Sequence, residues 1–289
     1  MLGEAAAAQV LTHGGAWVGR ERVQEAARPL LIDDEVALSR PPSGVYAEVT
    51  IDPRWILYED ADLLALDKPP GLYVEATPWD LAGNLRVALA AFLAQRGGTA
   101  HALHLAHRLD RDTSGVLLFS KSPEVNPALQ RSFAGGLVQK MYLCRCVGVP
   151  NQSIATIATG HGRGARGQFR VYPLDELGRA LPAGGGTVKL MQTRITVLER
   201  GWEAALVQAE PITGRTHQIR LHLAHIGHPL LGDTRYGGPS RWGQHDLSYH
   251  LLHAARLSLP HPRSGVPMTI QANDVWWTRD YPASASGAA

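Results

Sequence analysis

Cysteine is nearly absent from this 289-residue chain, which carries only Cys144 and Cys146. Two residues apart on what reads as a strand, they share one face, a poor geometry for a disulfide. A disulfide framework is excluded, and a reduced, cytoplasmic compartment is expected. Long hydrophobic runs are missing too. No window approaches the ~18 apolar residues of a membrane span. The Ala-rich start, Met1 to Val10, has neither the basic opening nor the full apolar core of a signal peptide. Neither sign of charge dominates: 28 Lys and Arg face 26 Asp and Glu, a net charge of +2. Any nucleic-acid partner must therefore be held by a local basic patch rather than by the whole-molecule field. There is no His-Glu-x-x-His, no second cysteine pair and no phosphate-binding glycine loop. His101, His104 and His107, like His222, His225 and His228, recur every third residue without cysteine or acidic partners at zinc spacing. No metal site is expected.

What remains is the composition of an ordinary globular protein, 45% hydrophobic and 19% charged, long enough for one large domain with a small appendage. Residues 1–44 read as a small N-terminal module, with short β-type runs at Ala16-Trp17-Val18 and Val36-Ala37-Leu38 and little sign of leading helices. Pro41-Pro42-Ser43-Gly44 is a natural linker. Residues 45–282 form the main domain, and 283–289 a small-residue, disordered tail. Ile56 to Asp60 and Leu63 to Lys68 read as two strands ending in the Pro-Gly turn of Pro69-Pro70-Gly71. Leu85, Leu89 and Phe92 recur at helical spacing, stopped by Gly97-Gly98. Val116 to Phe119 is a buried strand, Pro127 to Phe133 a short helix, and Lys140 to Gly148 a further strand. Gly160 to Gly186, rich in glycine, proline and arginine, reads as a mobile surface excursion. Ala204 to Ala209 is a strand; Ile219, Leu223 and Ile226 mark one face of a helix ended by Gly227 and Pro229.

The most informative stretch runs from His107 to Ser122: His-Arg-Leu-Asp-Arg-Asp-Thr-Ser-Gly, then a short apolar strand. Asp110 stands at its mouth between Arg108 and Arg111. Flanking guanidiniums favour the carboxylate form, so Asp110 is expected to stay ionised, as a nucleophile or as an ion-pair partner. Three further segments accompany it: Asp67-Lys68-Pro69, Lys140-x-Tyr142, and Thr213-Gly-Arg-Thr-His-Gln-Ile-Arg220 continuing into Gly232-Asp233-x-x-Tyr236-Gly237. In this order the four motifs resemble the RluA-type pseudouridine synthases. Four motifs in register are far harder to produce by chance than one.

The resemblance implies an α+β fold, with a mixed, mainly antiparallel sheet, flanking helices and a central cleft. It implies an isomerase that converts uridine to pseudouridine in structured RNA without metal or cofactor. Asp110 would be the nucleophile, Arg220 its ion-pair partner, and Tyr142 the ring stacked on the flipped uracil. Arg108 would fill or support the gap left by the extruded base, and Ile219 or Leu221 would pack beneath the base or the Tyr142 ring. His107, Leu109, Thr113, Lys140, Arg215 and His217 complete the substrate-binding set. Lys68 would support structure or contact phosphate. Arg163, Arg166 and Arg170, on a glycine-flexed loop with Phe169, are candidate RNA contacts, against the plainer reading of a solvated hairpin tip. The N-terminal module partly resembles the RNA-binding module of ribosomal protein S four, with Val18-Gly19-Arg20 at its turn; a plain hairpin is the other reading. That module favours ribosomal over transfer RNA. A monomer is expected. The alternatives are a catalytically silent RNA-binding or RNA-folding protein on the same scaffold, and an aspartate-nucleophile hydrolase.

Overall fold

The computed structural model describes residues 2–97, 103–164, 168–182 and 185–279. The expected tail at 283–289, Arg166 and His101 lie outside the described residues. The chain divides into two compact units, the first made of Met1–Trp55 with Leu72–Leu103, the second of Ile56–Gly71 with His104–Ala289.

The first unit opens with helix α1 (Glu4–His13), a leading helix not anticipated from the sequence, closed by Gly14 in the left-handed region at φ 76°. Strands β1 (Ala16–Val18), β2 (Glu21–Val23) and β3 (Val36–Leu38) form an antiparallel sheet in the order β2-β1-β3. The unit does not stop at the Pro-Pro-Ser-Gly stretch. The Leu81 N–H donates to the His13 carbonyl, the Trp17 indole to Pro78, and Arg22 to the Thr77 carbonyl. These bonds bind residues 72–103 to the N-terminal segment. Helix α2 (Leu85–Gln95) belongs here as well, capped by the Asn84 side chain, which accepts from the Val87 N–H.

The second unit is built on one 11-stranded sheet. Strands β4 (Ile56–Glu59) and β5 (Leu63–Lys68) form the expected hairpin. Next come β6 (His104–Leu105) and β7 (Ser114–Ser120), the latter buried throughout. Helix α3 (Asn126–Ala134) leads to β8 (Gln139–Val147), β9 (Ile154–Arg163), β10 (Phe169–Tyr172), β11 (Lys189–Arg200) and β12 (Ala204–Pro211). Helix α4 (Gln218–His225) and the short hairpin β13 (Arg241–Trp242) and β14 (His245–Asp246) precede β15 (Leu252–Pro260), β16 (Pro267–Gln271) and helix α5 (Trp276–Arg279). The spatial order is β10-β9-β11-β12-β8-β15-β7-β5-β4, with β16 on β15 and β6 on β7. Every pairing is antiparallel except β15 with β7. The sheet is thus mixed and mainly antiparallel, with few helices, as expected. Among the described residues no helix is long and apolar enough to cross a membrane.

Within the Gly160–Gly186 stretch the described residues form paired strand and a small core rather than the irregular excursion the composition suggests. Phe169 to Tyr172 pairs with Gly160 to Arg163, and Tyr172, Leu181 and Val188 close a small core of their own. The glycines serve close packing rather than freedom. A Cβ on Gly160 would stand 2.6 Å from a Val188 methyl, and one on Gly162 2.6 Å from a Leu181 methyl.

Candidate active site

One residue of β15 sets the geometry of the site. Ala254 pairs with Tyr142 of β8 on one side and with Gly115 of β7 on the other. The loop that ends in Gly115 is thereby drawn toward Tyr142. Gly115 has φ 103°, and a Cβ there would lie 2.3 Å from the Ala254 carbonyl oxygen, so no other residue fits this crossing. Asp110 sits in the turn just before β7, its carbonyl accepting from the Thr113 N–H at 3.2 Å.

Arg220, on the first turn of α4, meets this loop. Its Nη1 donates to Asp110 Oδ2 at 2.9 Å. Its other edge is committed to Asp233, with Nε to Oδ2 at 2.7 Å and Nη2 to Oδ1 at 2.9 Å. This two-point contact fixes the guanidinium plane, leaving one N–H edge for Asp110. The Arg220 guanidinium also lies 5.0 Å from the centre of the Tyr236 ring. Arg220 is buried, which alone would weaken its charge, but the hydrogen bonds and charge of Asp233, then of Asp110, hold its pKa above the ordinary value. Burial pushes the Asp110 carboxyl up, but His217 and Arg220 together outweigh it, and its pKa falls below the usual range. Burial drives His217 itself down to about 4, so at neutral pH it is uncharged and Arg220 carries the attraction.

The ionised state of Asp110 is therefore not the work of its sequence neighbours, as the flanking arginines suggest. Arg111 turns to Asp112 at 3.5 Å and donates to the Gly71 carbonyl. The hydrogen-bonded guanidinium on Asp110 comes from residue 220, far along the chain. Among the described residues both charged-group partners of Asp110, Arg220 at 2.9 Å and His217 Nε2 at 3.8 Å, address Oδ2. No hydrogen bond or ion pair to Oδ1 is found among the described residues.

Tyr142 lies with His107, Val116, Lys140, Ala254, Arg256 and Leu257 along a tightly closed crevice. Its burial, with the charge of Asp110 next, raises the phenol pKa and keeps the hydroxyl protonated. Burial likewise depresses Lys140. The His107 Nε2 accepts the Leu118 N–H at 3.2 Å, its ring stacks on Phe133, and burial lowers its pKa to about 4. His107 is thus a neutral brace for the loop. Thr113 Oγ1 bonds His250 Nε2 at 2.8 Å. Leu109, Ile219 and Leu221 are buried, while Arg108 is exposed. Arg215 donates through Nε to the Leu190 carbonyl at 3.0 Å. Lys68 is fully buried, with Nζ donating to the Pro69 and Arg111 carbonyls at 2.9 and 2.7 Å. It braces the turn at Asp110 from behind and is in no position to meet a phosphate. Arg163 and Arg170 stand exposed on the β9–β10 hairpin, their guanidiniums 5.0 Å and 4.5 Å from the ring centres of Phe169 and Tyr172.

Helix α4 is held in place by Gln218, whose role the sequence did not reveal. Its Oε1 accepts from Thr213 Oγ1 and the Arg215 N–H, and its Nε2 donates to the Gln192 carbonyl and Thr193 Oγ1. Every polar atom of this buried amide is used. Asp233, Tyr236 and His250 also went unassigned, and Phe169 was read only as the aromatic of the arginine loop. The Gly232-Asp233-x-x-Tyr236 motif marked the first two; His250 carried no local signal. Among the described residues no cluster of three His, Cys, Asp or Glu is placed to hold a metal ion.

Comparison with known proteins identifies the family. The family model described as RNA pseudouridylate synthase matches residues 62–225. RNA pseudouridine synthase 1 of Oryza sativa subsp. japonica is 36% identical over 264 residues, 78% of this chain and 74% of that protein. The protein named ribosomal large subunit pseudouridine synthase C in Vibrio cholerae is 32% identical over 277 residues, 91% of this chain and 82% of that protein. The solved structure of human RNA pseudouridylate synthase domain containing 4 superimposes with a TM-score of 0.61 at 25% identity, covering 78% of this chain and 90% of that one. The fold, the motifs and these relatives agree, and the chain belongs to the RNA pseudouridine synthase family of isomerases.

Proposed function

We propose that this protein isomerises specific uridines to pseudouridine in structured RNA, with Asp110 as nucleophile and ribosomal RNA as the preferred target. The observation that carries the reading is the Asp233–Arg220–Asp110 chain. A guanidinium locked by one buried carboxylate presents its remaining edge to Oδ2 of a second, keeping that second group anionic and aimed while Oδ1 stays open. The reaction breaks the glycosidic bond, turns the uracil and rejoins it to the sugar through C5. No electrons are gained or lost, and the proton leaving C5 is matched by the one gained at N1.

The enzyme must extract the base from its stack and hold the detached ring away from water. The Tyr142 ring would supply the stacking surface, a contact worth about 1–3 kcal/mol. Buried Ile219 or Leu221 would pack beneath the base or the Tyr142 ring, and Lys140, His217, Thr113 and Arg215 would frame the nucleotide. Exposed Arg108 supports the vacated position in the RNA. Arg163 and Arg170 contact the RNA backbone, their planes backed by aromatic rings. The preference for ribosomal RNA is supported by the name of the Vibrio cholerae relative and by the partial N-terminal resemblance.

The test is incubation of the purified chain with C5-tritiated ribosomal and transfer RNA fractions, prepared separately from cells lacking the protein. Tritium release from ribosomal RNA alone is expected. Release from transfer RNA alone would overturn the substrate assignment, and release from neither would overturn the activity.

A further inference from the structure

His217 is the one non-glycine residue with positive φ among the described residues, at 57°. Such a conformation costs on the order of 1–3 kcal/mol and persists only where the surroundings impose it. Here they do. The His217 Nδ1 lies 2.7 Å from the Tyr236 hydroxyl. Its ring stands edge-on between two aromatic rings, Tyr236 at 5.7 Å and 69° and Phe169 at 5.7 Å and 75°. Phe169 comes from the β9–β10 hairpin, whose exposed arginines face outward. It is fixed in turn by His161, stacked on it at 5.1 Å and 14°, and His161 reaches the Thr216 carbonyl at 3.0 Å. The hairpin therefore grips both His217 and the residue before it. The far edge of the imidazole, Nε2, points at Asp110 Oδ2 from 3.8 Å.

We infer that Phe169 is a positioning residue for the nucleophile, acting through His217, so that the β9–β10 hairpin is part of the catalytic apparatus as well as an RNA contact. The network favours one tautomer: the Tyr236 hydroxyl donates to Nδ1, and Nε2 carries the proton toward the carboxylate. At 3.8 Å this is an oriented dipole rather than a hydrogen bond. It acts on the same oxygen as Arg220, and so helps fix which oxygen stays open. Without the Phe169 ring, the strained backbone at His217 loses one of the two walls that hold it. A shift of an ångström at a reacting group is enough to slow chemistry up to a hundred-fold. Because Phe169 and Arg163 are cross-strand neighbours, RNA bound at the hairpin bears directly on the ring that holds His217.

The inference rests on Asp110 as the nucleophile, and the test keeps the two apart. Tritium release is measured at several RNA concentrations for wild type, Phe169→Ala, Phe169→Leu, Phe169→Tyr, His217→Asn and the Phe169→Ala/His217→Asn double variant. Asparagine tolerates the left-handed region, so His217→Asn removes the imidazole without forbidding the backbone. Phe169→Ala and His217→Asn should each lower kcat about ten-fold with KM within about two-fold. Phe169→Tyr, which keeps the ring, should stay near wild type. The double variant should be no slower than the slower single one, since both changes break one linkage. Phe169→Leu keeps the apolar bulk without the ring and should match Phe169→Ala; it carries the test if the alanine variant does not fold. A raised KM at unchanged kcat would make Phe169 an RNA contact only and overturn the inference, as would additive losses in the double variant. Inactive wild type would overturn this inference together with the proposed function; active wild type with indifferent Phe169 variants would overturn this one alone.

Discussion

Asp233→Asn isolates the group that aims Arg220. The change is nearly isosteric, so effects on packing are small. Asp233 is 2% exposed, and its two oxygens receive two N–H groups of Arg220 at 2.7 and 2.9 Å. The amide keeps one acceptor but sets an NH₂ group against a guanidinium N–H and deletes the buried anion. Removing one partner of a buried ion pair costs about 3–5 kcal/mol, because the other charge stays behind uncompensated. Arg220 still has Asp110, which returns part of that loss, so about 3 kcal/mol is expected in urea unfolding monitored by tryptophan fluorescence. Catalysis should suffer differently. A guanidinium released from Asp233 rotates, pairs more fully with Asp110 and covers the open Oδ1. Tritium release, assayed well below the unfolding midpoint, should then fall in kcat about ten- to a hundred-fold with little change in KM. A variant within 1 kcal/mol of wild type and of unchanged kcat would refute the idea that Asp233 holds Arg220 for Asp110.

Two further outcomes follow from the same geometry. Gly115→Ala forces a Cβ against the Ala254 carbonyl and a side chain into φ 103°; it should separate β7 from β15, abolish tritium release and lower the thermal midpoint by several degrees, and an active, equally stable variant would contradict the placement of the loop. Acid should destabilise the protein well before its carboxylates titrate. Burial lowers the fully buried His222 and His250 from 6.5 to about 4, so between those values the unfolded chain binds protons that the folded chain does not, and stability falls as pH falls. From pH 7 to 5 each contributes about 2 kcal/mol, and His107 and His217, lowered to the same value, contribute comparably; the resulting drop in the urea midpoint should shrink by about a quarter in His250→Gln, and a midpoint flat over that range would refute it.

Much of the site could be read from the chain because the motif residues are contiguous. Asp110, Thr113 and Gly115 lie within one turn and strand, and Thr213 to Arg220 within one loop and helix, so each segment announces itself locally. The partners that make those residues work are distant. Asp233 is paired with Arg220 by tertiary folding, and His250 with Thr113 across 137 positions of chain. No periodicity encodes such meetings. The same limit explains why Asp110 seemed to draw its charge partner from Arg108 and Arg111, which are adjacent in sequence, whereas the hydrogen-bonded guanidinium belongs to Arg220. The 160–186 segment misled for a different reason. Glycine reads as freedom, but Gly160 and Gly162 are small so that Val188 and Leu181 can close over them. The N-terminal boundary misled because Trp17, Arg22 and the His13 carbonyl find their partners beyond residue 72.

The central claim is that the Asp110 anion attacks. Asp110→Asn changes almost no volume and removes only that anion. Its release of tritium from C5-tritiated ribosomal RNA, measured beside wild type and beside an RNA-binding titration of both, tests the claim most directly. The account predicts tritium release by wild type, none above background by Asp110→Asn, and RNA binding by the two within a few-fold. Turnover by the variant at a comparable rate would remove Asp110 from the mechanism.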